Sequence, residues 1–206
     1  MKTLAIIDID GTITDFYKVD SEIISKLYGH NRIIKMIDKL LWKINSLDVI
    51  TNRFLIFQLR MRLYSLLNSS KYGEDVEMYR EEYVEKAKQY FHSFMDNEYL
   101  VLKEKGIEIL LLTCDPFDGF CEEAVTVVQD KCRYVLDNVP SRYDEVYVIG
   151  NNYMDDIRVG LKLRMKMRHN GKTRIFYVGS SSAVIKLVKD KEVLICKNLK
   201  QVIKSI

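Results

Sequence analysis

Proline and glycine are scarce in this chain of 206 residues, at 2 and 9, which excludes collagen-like and low-complexity sequences. Four cysteines are present, and no two of them are spaced as a C-x-x-C pair. The first apolar run ends at Ile7, which is too short for the core of a signal peptide. We therefore expect reduced thiols and a cytoplasmic protein.

The sequence also lacks a dominant charge and an uninterrupted apolar span. Lys and Arg number 32 against 29 Asp and Glu, and the net charge of +3 does not by itself indicate a nucleic-acid partner. The most apolar later stretch, residues 49–67, is interrupted by Arg53, Arg60 and Arg62, so we expect no membrane partner. Hydrophobic residues make up 48% of the chain, which is enough for a folded core and excludes general disorder.

Short apolar runs that each end in Gly, Asp, Ser or Asn recur along the chain. They cover residues 3–7, 107–112, 146–149, 174–178 and 193–196. Buried runs of this length with polar stops predict the strands of a parallel α/β sheet with a Rossmann-like arrangement. In such sheets, ligands bind at the carboxyl ends of the strands, where these polar stops lie.

A long segment between the first two predicted strands has helical periodicity and no proline. We expect residues 16–105 to form an all-helical insertion, including a helix over residues 46–68, and residues 1–15 with 106–206 to form the α/β core. The segment from 157 to 171 alternates apolar and basic residues, which is compatible with a hairpin ending at Asn170-Gly171. Its Leu, Lys, Arg and Met content favours a helix instead.

The strongest chemical feature is the sequence Asp8-Ile9-Asp10-Gly11-Thr12-Ile13-Thr14, directly after the first predicted strand. Two carboxylates one residue apart on an extended chain end point in different directions. One can then attack a substrate while the other donates or accepts a proton. Gly11 allows a tight turn and a close approach of the substrate. This pattern favours a catalytic loop over a solvated one.

These residues resemble the first motif of the haloacid dehalogenase-like superfamily of phosphoryl-transfer enzymes. Its second motif, an apolar strand that ends in Ser or Thr, resembles residues 110–113. Its fourth motif, an acid-bearing loop after a strand, resembles residues 150–156. The helical insertion is similar to the cap of the phosphoserine-phosphatase-like branch. The resemblance therefore implies a Rossmann-like core with an inserted helical cap.

The resemblance also implies a role for each matching residue. Asp8 would be the nucleophile that forms an aspartyl-phosphate, and Asp10 would protonate the leaving oxygen and later activate water. Thr113 would donate a hydrogen bond to the phosphoryl group. Substrate contacts would come from Gly11, Thr12, Thr113 and Cys114. Mg²⁺ would be the cofactor, held by Asp8 and the carbonyl of Asp10.

Two positions depart from the family pattern. Asn151 stands where the family has an aspartate ligand for the metal, and either Asp155 or Asp156 is expected to compensate. The basic residue of the third motif has three candidates, Lys131, Arg133 and Arg142, of which we choose Lys131. Residues 134–139 are compatible with a strand, which leaves little room for a helix before Val146.

The sequence therefore predicts a Mg²⁺-dependent phosphatase that acts on a small phosphorylated metabolite. One alternative is a weakly active or inactive module that binds rather than hydrolyses, because Asn151 weakens the metal site. Another is a phosphatase of nucleic-acid ends, because basic residues dominate between Arg158 and Arg174. We favour a solvated helix face for the basic residues, and extension to solvent over a substrate contact for the arginines at 53, 60 and 62.

Overall fold

The computed structural model describes residues 1–45, 53–114, 125–139, 142–167, 171–189 and 191–206. Within them, six parallel strands form one sheet in the order β3-β2-β1-β4-β5-β6. The strands are β1 (Thr3–Ile7), β2 (Ile107–Thr113), β3 (Val125–Val127), β4 (Glu145–Gly150), β5 (Lys172–Val178) and β6 (Val193–Cys196). The predicted parallel α/β sheet of Rossmann-like type is confirmed.

Strand β1 lies at the centre of the sheet, and all five of its residues are buried. Thr3 pairs with Ile107 of β2 on one side and with Glu145 of β4 on the other. A strand with neighbours on both edges and helices on both faces needs apolar side chains throughout, which explains its continuous apolar sequence. The sequence did not predict β3, because a strand of three residues has no recognisable periodicity.

Four helices follow the strands of the sheet: α6 (Lys131–Asn138), α7 (Arg158–Lys166), α8 (Ser182–Val188) and α9 (Leu199–Ser205). Asp130, Ser181 and Asn198 cap the first, third and fourth of these with side-chain hydrogen bonds to the first turn. The helix predicted within residues 157–171 is confirmed by α7. The strand suggested for residues 134–139 is wrong, because the Asp130 cap starts a helix that buries one side against the sheet.

The segment between β1 and β2 is helical. It contains α1 (Phe16–Tyr28), α2 (Arg32–Asn45), α3 (Arg53–Asn68), α4 (Tyr72–Phe94), a π-helical turn (Met95–Tyr99) and α5 (Leu100–Glu104). Of the helix predicted over residues 46–68, residues 46–52 lie outside the described part. Within that part, no helix is both long and apolar enough to cross a membrane.

The helical segment packs against one face of the sheet. Tyr83 and Phe91 of α4 belong to the same buried apolar cluster as Ile7 of β1 and Ile149 of β4. A second cluster on the opposite face joins Ile6 to α6 and α7. The large area that the first cluster removes from water holds α4 over the carboxyl edge of the sheet.

A buried ionic network lies inside the helical segment. Arg60 Nη1 donates to Asp20 Oδ2 at 3.0 Å, Asp38 Oδ1 lies 3.7 Å from the same nitrogen, and Tyr79 donates to Asp20 Oδ1 at 2.5 Å. Arg62 is exposed beside the ring of Tyr72. The prediction that Arg60 extends to solvent is wrong, because its guanidinium is buried and bound by these carboxylates. The side chain of residue 53 lies outside the described part.

Candidate active site

The loop after β1 is closed by backbone hydrogen bonds onto one carbonyl oxygen. The N–H groups of Thr12, Ile13 and Thr14 donate to the oxygen of Ile9 at 3.2, 2.9 and 3.1 Å. Gly11 has a φ of +82°, and a methyl group built on it would lie 1.8 Å from Asn151 Nδ2. Glycine is therefore required at position 11 both by the turn and by the close approach of the β4 loop.

Asp8 is held in an ionic cluster at the carboxyl edge of the sheet. Lys131 Nζ donates to Asp8 Oδ1, and it also donates to Asp156 Oδ1 at 3.1 Å. Thr12 Oγ1 donates to the other Asp8 oxygen at 3.3 Å, and the Asn152 N–H donates to Asp156 Oδ2 at 3.0 Å. All five side chains are buried. The cluster fixes the position of the Asp8 carboxylate.

Burial and charge shift the acid–base properties of this cluster. Burial, reinforced by the negative charge of Asp156, raises the pKa of Asp8 from 3.8 to about 7 in spite of the opposing effect of Lys131. Burial acts to lower the pKa of Lys131, but the carboxylates of Asp156 and Asp8 outweigh it and the pKa of Lys131 is raised. Asp8 is thus held where its charged form is disfavoured until a further cation arrives.

Asp10 lies two residues beyond Asp8, and its two carboxyl oxygens have different hydrogen-bond partners. Oδ1 accepts hydrogen bonds from the Tyr83 hydroxyl and from Thr14 Oγ1, the latter at 3.3 Å. Oδ2 is buried and has no hydrogen-bond partner. The carboxyl is therefore held by one oxygen, while the other accepts no hydrogen bond.

Asn151 follows β4 and lies against Gly11. Its Oδ1 atom is buried without a hydrogen-bond partner, which costs free energy unless something else binds it. No group of three or more His, Cys, Asp or Glu side chains in the described ranges is arranged to hold a metal. Mg²⁺, however, takes carboxylate, carbonyl and water oxygens, and the unpartnered Oδ1 atom of Asn151 is an oxygen of this kind.

The charge balance of the site also fits a cation. Asp8, Asp10 and Asp156 are buried, and Lys131 is the only basic side chain that contacts any of them in the described part of the chain. Three carboxylates against one ammonium leave excess negative charge in a poorly solvated place, which a divalent ion would offset. The residues present therefore have the oxygen atoms and the charge that Mg²⁺ requires, and Mg²⁺ binding stays a prediction.

The structure separates the alternatives that the sequence left open. Lys131 contacts Asp8, whereas Arg133 and Arg142 are exposed. Asp156 is buried within the cluster, whereas Asp155 is exposed. The cluster therefore includes Lys131 and Asp156 of these candidates, with Asp156 already bonded to Lys131 and to a backbone N–H group.

Thr113 and Cys114 lie at the same edge of the sheet. Thr113 is the last residue of β2 and is buried, and Cys114 is half-buried. Because Ile7 pairs with Leu111, Thr113 stands at the level of the loop that carries Asp8. The loop that follows, residues 115–124, lies outside the described part of the chain.

A cleft of about 920 Å³ borders the loop after β1 on the side of β5 and β6. Gly11, Thr12 and Asn151 line it together with Tyr90 of α4. Its other lining residues include three serines and two lysines, Ser180, Ser181, Ser182, Lys197 and Lys200. The cleft has walls from both the sheet loops and α4 and a mixed polar and apolar lining, so it can admit a small molecule.

Sequence reasoning missed Tyr83 as a member of the site. Its spacing from Tyr79 and Ala87 in the sequence predicts a place on the apolar side of a helix, and its ring is indeed buried. The available signal was its hydroxyl, because a buried tyrosine hydroxyl needs a hydrogen-bond partner and a core position facing a sheet edge offers few. The partner here is Asp10.

The raised pKa of Asp8 predicts a pH-dependent stability in protein treated with a chelator. Between pH 4 and pH 7 the folded chain keeps a proton on Asp8 that the unfolded chain has released, so the free energy of unfolding falls as pH rises. The pKa difference corresponds to a fall of up to about 4 kcal/mol. Urea unfolding followed by circular dichroism across this range measures it.

Asp8→Asn should remove this fall and be the more stable protein at pH 8. Asp96→Asn is the matched control, because Asp96 is an exposed carboxylate on the π-helical turn, and it should behave as the wild type. Parallel pH profiles for the wild type and Asp8→Asn would contradict the burial argument.

No protein-family model, curated protein or solved structure matches this chain. Function is therefore inferred from the geometry of the site and the chemistry of its residues.

Proposed function

We propose that this chain is a Mg²⁺-dependent phosphatase of the haloacid dehalogenase-like type, which hydrolyses a small phosphomonoester through a phosphate ester of Asp8. The observation that carries the proposal is the pairing of two carboxylates with opposite surroundings. Asp8 is fixed by Lys131, while Asp10 keeps an unpartnered oxygen. Nucleophilic catalysis with proton transfer needs two such groups, one that attacks and one that donates and accepts the proton.

In the first step, an oxygen of Asp8 attacks phosphorus and the bond from phosphorus to the alcohol oxygen breaks. Asp10 donates a proton from Oδ2 to that oxygen, so the alcohol leaves neutral. Lys131 keeps the attacking carboxylate in place and offsets its charge. The products of this step are the free alcohol, a phosphorylated Asp8 and an ionised Asp10.

In the second step, water attacks the same phosphorus and the bond to Asp8 breaks. Asp10 accepts a proton from the water, which returns the carboxyl to its starting state and releases inorganic phosphate. Thr12, which donates to Asp8 Oδ2 at 3.3 Å, stabilises the carboxylate that is regenerated. Thr113 at the end of β2 is the proposed donor to a phosphoryl oxygen.

A bound Mg²⁺ would be held by Asp8, the carbonyl of Asp10 and Asn151, and it would offset the negative charge shared by the carboxylates and the phosphoryl group. The weaker ligand at position 151 is a neutral amide. We therefore expect Mg²⁺ to bind more weakly than at a site with three carboxylates.

The helical segment over residues 16–105 is proposed to act as a cap on this site. Helix α4 contributes Tyr83 to Asp10 and Tyr90 to the wall of the cleft. The organic part of the substrate would occupy the cleft, whose hydroxyl and lysine side chains suit a hydrophilic group. The cap would keep bulk water away while the phosphorylated carboxyl forms.

Two of the basic residues after Asp156 are bound within the chain itself. Arg164 donates to the carbonyl oxygens of Thr173, Lys191 and Glu192, and Lys166 donates to that of Leu136 at 2.6 Å. These side chains bind the chain's own backbone, which favours the structural role over a phosphate-binding surface.

Phosphate release from a panel of phosphomonoesters, measured in MgCl₂ and in EDTA, tests the proposal. We expect release from at least one ester in magnesium only, and a hydroxylamine-sensitive phosphate label on the peptide that contains Asp8 after rapid quenching. No release from any ester, together with no heat of Mg²⁺ binding at millimolar concentration, would instead support a module that binds without hydrolysis.

A further inference from the structure

The hydrogen bond from Tyr83 to Asp10 joins the helical segment to the loop after β1. Tyr83 lies in the middle of α4, and its hydroxyl donates to Oδ1 of Asp10. Tyr83 is 2% exposed and Asp10 is 5% exposed, so water does not compete for this bond. A buried hydrogen bond to a carboxylate is among the stronger ones in a protein.

Packing fixes the Tyr83 ring in place. The centroid of its ring lies 5.9 Å from that of Phe16 in an edge-to-face arrangement. It lies 6.1 Å from that of Tyr79, with an angle of 8° between the two ring planes. Thr14 is a less definite partner for Asp10, because its hydroxyl lies 3.3 Å from both Asp10 Oδ1 and the carbonyl of Ile9. A hydroxyl has one proton to donate. Tyr83 is therefore the donor that sets the orientation of the Asp10 carboxyl.

The orientation matters because only Oδ2 is left without a partner. A carboxyl that was free to rotate would present either oxygen to the substrate. With Oδ1 held by a phenol from α4, Oδ2 keeps one orientation from turnover to turnover. A transferable proton in one fixed place lowers the entropy cost of the transfer.

We infer that Tyr83 is a positioning residue that holds Asp10 Oδ1, so that Oδ2 delivers the proton to the leaving alcohol. The inference rests on the proposed function and adds that a residue of the helical segment completes the acid–base group of the core. Proton delivery then depends on the placement of α4 over the carboxyl edge of the sheet.

The chemistry of the leaving group provides the test. An alkyl phosphate needs a proton on its departing oxygen, whereas p-nitrophenyl phosphate releases a stable phenolate without one. The value of kcat/KM reports the steps up to the first departure, so it isolates the acid role of Asp10 from its later role as base. We expect Tyr83→Phe to lower kcat/KM about tenfold or more for an alkyl phosphate and less than about threefold for p-nitrophenyl phosphate.

Tyr79→Phe is the matched control. Tyr79 is one helical turn before Tyr83, is equally buried, and donates to the carboxylate of Asp20 within the helical segment. Its loss of a buried hydrogen bond is similar, but it does not contact Asp10 through its hydroxyl. We expect it to change kcat/KM by the same small factor for both esters.

Equal loss on both esters in Tyr83→Phe would overturn the positioning role while leaving the phosphatase proposal intact. If Asp8→Asn releases phosphate from no ester while Tyr83→Phe still does, the result supports the phosphatase proposal but does not bear on the role of Tyr83. If the wild type hydrolyses no ester, both proposals fall.

A double-mutant cycle by urea unfolding tests the contact separately from activity. Tyr83→Phe should lower the unfolding midpoint in the wild-type background and much less when Asp10 is already alanine. Equal shifts of the midpoint in both backgrounds would show that the hydroxyl does not hold Asp10, and this would overturn the inference.

Discussion

Asp8→Asn is expected to abolish phosphate release from every ester that the wild type hydrolyses, with a loss of about 10⁴-fold or more in kcat. An amide oxygen is too weak a nucleophile for phosphorus, and the one other carboxylate that Lys131 is shown to contact in the described part of the chain is that of Asp156. Asp156, the second partner of Lys131, already accepts from the Asn152 N–H group. It therefore cannot take over the role of Asp8 without rearrangement of the loop after β4.

Two further variants make this result specific. Asp10→Asn should still accept phosphate on Asp8 from p-nitrophenyl phosphate, but should release it slowly, so the hydroxylamine-sensitive label accumulates. Asp96→Asn, an exposed carboxylate far along the helical segment, should retain wild-type activity. Residual activity above about 1% in Asp8→Asn with unchanged substrate preference would place the nucleophile elsewhere.

Of the variants described, Lys131→Met is expected to lower the free energy of unfolding the most. It leaves the carboxylates of Asp8 and Asp156 buried without a counter-charge, and breaking a buried pair in this way costs about 3–5 kcal/mol. In activity, the loss of a positioned cation from the reacting group should cost about 10²–10³-fold in kcat. Urea unfolding in chelator and phosphate release in magnesium measure the two effects.

The pH dependence distinguishes a charge effect from a packing effect. With its pKa near 7, Asp8 is protonated at pH 5, so less negative charge is left uncompensated and Lys131→Met should be less destabilising there than at pH 8. Adding Asp8→Asn to Lys131→Met should recover part of the lost stability at pH 8.

Arg133→Met is the matched control. Arg133 is on the same helix and exposed, so the free energy of unfolding is expected to change by no more than about 0.5 kcal/mol. A loss of stability that is independent of pH would contradict the charge argument.

Much of the α/β architecture could be predicted from the sequence because buried parallel strands are continuous apolar runs. Such runs identified five of the six strands of the sheet, and the segment between β1 and β2 showed clear helical periodicity. The strand β3 and the helix α6 could not be predicted in the same way. Residues 125–127 are too few for a pattern, and residues 134–139 contain the β-branched Val135 and Val139, whose propensity was outweighed by the Asp130 cap and by packing on the sheet.

The candidate site was predictable where its residues follow strands and unpredictable where they come from distant helices. Asp8, Asp10 and Asn151 stand at strand ends, and the parallel register brings such ends to one edge. Lys131 was one of three basic candidates, and only the packing of α6 decides which of them reaches Asp8. Tyr83 is separated from Asp10 by most of the helical segment, so its contact depends on how α4 packs; the sequence signals only that a core tyrosine hydroxyl needs some partner.

The central position of β1 has a consequence for how the chain folds. Thr3 is synthesised long before its sheet partners, Ile107 and Glu145. The helices between them form from local contacts and can assemble early, whereas the sheet must close very long loops before any strand pairing is gained. During synthesis on the ribosome, β1 therefore stays an unpaired apolar strand until β2 has emerged, and it depends on the early helices or a chaperone to shield it from aggregation.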